Sequence, residues 1–119
     1  MTTQPDNISD LIPLREPTFF ILLSLAQGQK HGYAILKDVE SVSEGQVTLS
    51  TGTLYEALAR LLDQGLIERV EDAANDNHPG RPRKLYRLTA RGLRVMQAET
   101  ARLQALLVAA QQRLGAEGI

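Results

Sequence analysis

The chain has 119 residues, 43% hydrophobic and 23% charged, with a formal net charge of −1 and no cysteine. This length and mix describe one globular domain able to bury a core unaided. They exclude a disulfide frame, a thiolate metal site and a simple polycation. The opening stretch, Met1 to Asp10, has neither the basic nor the apolar region of a secretion signal. The longest apolar run, Phe19 to Ala26, is too short to cross a bilayer. A cytoplasmic setting with no membrane contact is expected. Charge is unevenly spread. Asn77 to Ala98 holds six basic residues and no acidic one, and such local asymmetry attracts an anionic partner.

In chain order, residues 1–16 are polar and read as a flexible N-terminal arm, with Pro13 limiting any helix there. Pro17 suits the first turn of a helix. "PTFFILLSLAQGQ" reads as a buried helix of about ten residues, apolar nearly all round, with Gly28 as its stop. "KHGYAILKDVESVSEG" reads as a second helix with Ile35, Leu36, Val39 and Val42 on one buried stripe, Tyr33 in the core and Gly45 at the end. "QVTLS" is a connector from which Leu49 enters the core. A third helix starts at Ser50 or Thr51, both good N-cap types. Leu54, Leu58, Leu61 and Leu62 form its core face, and Gly65 stops it.

"LIERV" and "KLYRL" alternate as strands and pair as a hairpin around the protruding polar loop "EDAANDNHPGRPR". Thr89 caps a last helix running to about Leu114. Leu93, Met96, Thr100, Leu103, Leu107, Ala110 and Leu114 recur at spacings of three and four, a heptad seam. One apolar seam on a helix of about 37 Å exposes too much surface alone. Pairing with a second copy is therefore expected, the alternative being lengthwise packing on its own domain.

The fold class expected is mainly α with a small β-hairpin. It divides into the arm (1–16), a winged helix-turn-helix (17–88) and a C-terminal dimerisation helix (89–119). In such a domain the third helix enters the DNA major groove N-terminal end first. Ser50, Thr51, Gly52 and Thr53 suit that place. Small residues admit a close approach, hydroxyls donate to phosphates or base edges, and the N–H groups of the first turn attract phosphate. The loop "NHPGRPRK" then forms a basic wing. His78, Gly80, Arg81, Arg83 and Lys84 are its DNA candidates, able to follow the backbone or enter a narrow minor groove.

"HGYAI", "TGTLYEALARLLDQGLI" and "GRPRKLYRLTARG" resemble, in this order, the PadR family of bacterial transcriptional regulators. The resemblance covers about Pro17 to Met96. It implies a homodimeric winged-helix protein that usually represses transcription and dimerises through its C-terminal helix. The short C-terminal helix looks like the compact branch of the family. Two positions depart from the family's Pro-Gly-Thr-Leu-Tyr-Pro pattern. Thr51 replaces the first proline and loses its preset φ. Glu56 replaces the second and places a negative charge near the DNA-facing surface, where it accepts from a cytosine amino group or holds Arg60 one turn away.

Other residues divide between two readings. Tyr55 contacts phosphate or edges the core; the resemblance favours DNA. Lys30 is a phosphate candidate, and Arg60 is balanced between backbone contact and solvation. His31 reads as a capping or packing residue. Arg87, Arg91 and Arg94 read mainly as a solvated face. No metal site, cofactor or catalytic set is expected: there is no nucleophile elbow and no Walker loop. A small-molecule effector of unknown identity remains open. With no tryptophan and only two Phe and three Tyr, an aromatic sandwich for it is less expected. The competing reading is a winged-helix adaptor for another protein, which would have no use for the basic wing.

Overall fold

The computed structural model describes residues 7–71 and 84–115. A 3-10 turn at Ile8–Leu11 precedes α1 (Glu16–Ala26), β1 (Lys30–His31), α2 (Gly32–Val42) and α3 (Thr51–Asp63). Then come β2 (Ile67–Val70), β3 (Leu85–Leu88) and α4 (Ala90–Leu114). The expected helix order and hairpin are present. One strand is added: β1 pairs antiparallel with β3, giving the sheet order β1-β3-β2. Two residues carry too little pattern to announce a strand, so only the pairing reveals it.

The three helices close around one apolar core. Ile21 and Leu22 of α1, Ile35 and Val39 of α2, and Leu54, Leu58 and Leu61 of α3 are buried in it. Burying such a side chain contributes about 1.5–3 kcal/mol each. Leu66 and Ile67 carry the core into the sheet, and Val95 and Met96 bring α4 to it. Leu49 packs against it as expected. Tyr33 does not: it is 71% exposed, because two residues back from Ile35 lies on the opposite side of a helix with 3.6 residues per turn. Val42 is also exposed. α2 ends there, earlier than Gly45, and the chain reverses through Glu44 and Gly45, both at positive φ. Val47 is buried instead.

α4 has two parts. Its first half belongs to the head, with Gly92, Val95, Met96 and Glu99 buried at helical spacing. Gly92 lies so close to the Leu66 carbonyl that a Cβ there would collide with it. From Leu103 to Ala110 every residue is exposed. The N-terminal arm is docked from Asn7 onward: Ile8, Leu11, Ile12 and Leu14 pack against the core. Its anchor is Glu99, only 1% exposed. Leu14 donates its N–H to Glu99 Oε2 at 3.0 Å. Arg102 donates Nε to Oε1 at 2.7 Å and Nη2 to Oε2 at 2.9 Å. Four apolar residues and one buried acceptor thus order a stretch whose polar composition suggests a loose arm.

The Arg102 hydrogen bonds, with that from Leu14, hold the Glu99 carboxyl below the usual carboxylate range against the opposing effect of burial. A folded-state value below the unfolded one gives stability that is present above the unfolded value, about 4.3, and lost as pH falls through the folded one. Chemical denaturation of the Glu99→Gln variant is expected to show a lower midpoint at neutral pH and a smaller loss below about pH 4.3. An unchanged acid profile would show that Glu99 carries no such linkage.

Candidate nucleic-acid interface

The first turn of α3 is a built cap. Ser50 is the N-cap residue, and its Oγ accepts the Thr53 N–H at 3.1 Å. Its hydroxyl donates to Thr53 Oγ1 at 2.9 Å. The two side chains therefore lock each other, and Ser50 satisfies one of the N–H groups a helix start leaves unpaired. Thr51, Gly52 and Thr53 are exposed while Leu54 is fully buried. A Cβ built on Gly52 would meet nothing within 4 Å. Glycine is thus not required there by the protein's own packing, and the space in front of the turn is open.

Tyr55 connects this turn to α2. It is 42% exposed, and its phenol lies against the backbone of Gly32, where an added Cβ would collide with the hydroxyl. Gly32 opens α2, and His31 just before it lies in β1 opposite Leu85. His31 Nδ1 donates to the Lys84 carbonyl at 3.2 Å. Tyr55, Gly32, His31 and Lys84 therefore form a continuous path from the first turns of α3 to the start of β3. Tyr86, beside them on β3, has its phenol pushed up in pKa by burial and then by Tyr55, with Arg69 pulling the other way. This junction stays uncharged on the Tyr86 side at neutral pH.

The other candidates are placed as follows. Lys30 is in β1 opposite Tyr86, and its Nζ donates to the Ser24 carbonyl at 2.7 Å. Its charge thus closes the end of α1 as well as lying near the junction. Lys84 is exposed at the start of the returning strand. His78, Gly80, Arg81 and Arg83 lie outside the described residues. Arg60 is exposed on α3 but faces a hollow shared with Arg15 and the start of α1, away from the Tyr55 path. Arg87 pairs across the hairpin with Glu68 at 2.6 Å, an exposed pair worth little to stability.

On α4, Leu93, Leu103, Leu107 and Leu114 are exposed, as are Thr100 and Ala110. Met96 differs from the rest of the expected seam. It is 5% exposed and belongs to its own chain's core, because the first half of α4 packs on the head. It also floors a shallow groove with Leu23, Ala26, Leu93 and Ala101. Among the described residues there is no group of acids and histidines able to hold a metal ion, and no helix long and apolar enough to cross a membrane. Sequence reasoning missed Arg15, β1 and the Glu99 anchor. Only the apolar spacing of Ile8, Leu11, Ile12 and Leu14 gave a readable sign of the docking.

Comparison with known proteins places this geometry. No curated protein matches the chain. A PadR-family regulator of Clostridium difficile R20291 superposes with a TM-score of 0.69 at 26% identity, covering 85% of this chain and 100% of that one. A PadR-family regulator of Eggerthella lenta gives 0.63 at 29% identity, over 92% and 94%. Bacillus subtilis PadR, solved with operator DNA, gives 0.61 at 23% identity, over 71% of this chain and 46% of that one. The profile of the transcriptional regulator PadR-like family matches residues 21–98. The chain belongs to the PadR-like family of transcriptional regulators.

Proposed function

We propose that the chain is a homodimeric DNA-binding repressor without enzymatic activity, working in the cytoplasm and reading an inverted-repeat operator. The observation that carries this reading is the path from Ser50 through Tyr55 and Gly32 to Lys84, which sets an open helix start beside the root of a basic loop. The first turn of α3 enters the major groove, where Thr51, Gly52 and Thr53 approach the bases. Tyr55 and Lys84 border it toward the phosphates, and Arg81 and Arg83 extend the contact along the backbone. The complex of Bacillus subtilis PadR with operator DNA supports the same use of this fold. Two heads on a twofold axis meet half-sites about 34–36 Å apart.

Gel shifts against genomic fragments at several salt concentrations test the reading. Binding with a log–log salt slope of roughly −5, for about six phosphates neutralised, is expected. No binding even at low salt would leave the adaptor reading standing. Gly52→Ala gives a sharper result. Space around Gly52 is open and alanine is the better helix former, by up to about 1 kcal/mol. Thermal stability is therefore expected to hold or rise while operator affinity falls. Unchanged affinity would remove Gly52 from the interface.

Dimerisation rests on α4. Leu103 is 39% exposed, Leu107 47% and Leu114 74%, on a helix end that its own head leaves uncovered. A second copy covers them and fills the apolar groove of about 500 Å³ between α1 and α4. Light scattering of Leu103→Glu with Leu107→Glu is expected to give a monomer with its head still folded. A dimer of unchanged mass would refute the seam.

A further inference from the structure

The end of α3 and the start of α4 meet at one tight junction. α3 closes through Gly65, whose φ of 73° favours glycine. Gly65 donates its N–H to the Leu62 carbonyl at 3.1 Å, and the Leu66 N–H donates to the Leu61 carbonyl at 3.0 Å. The carbonyls of Gly65 and Leu66 are in turn taken up by the start of α4. The Thr89 hydroxyl donates to the Gly65 carbonyl at 2.7 Å. The same oxygen accepts the Gly92 N–H at 3.0 Å, which caps α4. The Thr89 N–H donates to the Leu66 carbonyl at 3.1 Å. Gly92 lies against that carbonyl too, and a Cβ there would collide with it and with the Leu88 side chain. One hydroxyl thus serves two helices: it caps α4 and reaches across to the end of α3.

We propose that Thr89 and Gly92 are positioning residues that set the direction of α4 against α3, and with it the half-site separation the dimer accepts. Val95 and Met96 hold α4 to the head by apolar burial, which is non-directional. Glu99 ties the middle of α4 to Leu14, not to α3. Direction comes from the hydrogen bonds at Thr89, which weaken steeply when bent, and from the close approach at Gly92. The stretch from Leu103 to Leu114 lies about 20–37 Å along the helix from Thr89. A tilt of about 10° at the junction therefore moves that end by about 4–6 Å. One base pair more or less between half-sites moves them by about 3.4 Å and turns one by roughly 35° against the other. A junction loosened by that tilt reads more than one spacing. The operator consequence rests on the dimeric DNA-binding reading; the effect of the junction on α4 does not.

The chain has no cysteine, so Ala59→Cys on α3 and Gln112→Cys on α4, both at exposed positions, take spin labels at chosen points. Diluted into unlabelled full chain, the labelled pair reports the α3–α4 distance within one chain by double electron–electron resonance, with no DNA present. A narrow distribution is expected for the parent and for Thr89→Ser, which keeps the hydroxyl. Thr89→Asp keeps a capping acceptor but, ionised, has no proton for Gly65; it is expected to broaden the distribution. Gly92→Ala adds a better helix former that must move off Leu66, and is expected to shift the centre. Thr89→Asp, at a half-buried position, decides alone if Gly92→Ala does not fold. On inverted repeats of graded spacing, the parent is expected to favour its best spacing by about tenfold over one base pair longer or shorter, comparable to one mismatched base pair. Thr89→Asp is expected to lose most of that preference. Variant distances that match the parent's, or an unchanged spacing preference in Thr89→Asp, overturn the proposal. A parent that binds no DNA sinks the operator reading and the spacing claim with it, while the label distances still decide the junction.

Discussion

The close approach of Tyr55 to the backbone of Gly32 is the contact on which the proposed interface depends. It joins α3 to the start of α2, and through His31 it reaches Lys84 at the start of β3. A Cβ at position 32 would overlap the phenol, so any other residue there requires the Tyr55 side chain to shift. The absence of a side chain at Gly32 thus lets Tyr55 lie against the start of α2. The Ser50–Thr53 cap fixes the same helix from its other side. The first turn of α3 is therefore preorganised, and little order remains to be gained on binding.

The same economy governs α4. One helix serves two bodies. Its first half is part of the head's core, anchored by Val95 and Met96 and by the collision distance between Gly92 and Leu66. Its second half projects with its leucines exposed. α4 is one continuous helix from Ala90 to Leu114, so in the proposed dimer the angle between two such helices would set the angle between the heads. The buried Glu99 strengthens this by clamping Leu14 and Arg102 to the middle of the helix. The docked N-terminal stretch thus braces the point where the helix leaves the head.

Much of this was legible in the sequence because its signals are local and periodic. Leu54, Leu58 and Leu61 mark the core face of α3 by spacing alone, and Ser50 marks its cap by side-chain type. The open front of Gly52 follows from the same reasoning about small residues. What escaped depends on pairing across distance. β1 exists only because β3 lies beside it. Tyr33 was placed inside on its apolar ring, and its phase on the helix puts it outside. Glu99 looks like a surface acid until its partners at Leu14 and Arg102 are seen. Lys30, a phosphate candidate by charge, also donates its ammonium to the Ser24 carbonyl, a contact that only the fold shows. The hollow at Arg15 and Arg60 joins residues separated by two helices, so no window of sequence could display it.

The central claim is that the start of α3, the start of α2 and the root of the wing act as one face toward DNA. Mapping amide hydrogen exchange on the full chain, with and without a bound genomic fragment, tests it most directly. Protection concentrated at Thr51 to Tyr55, at His31 and Gly32, and at Lys84 is the result this account requires. Protection confined to the far half of α4, with the α3 turn exchanging as before, would contradict it.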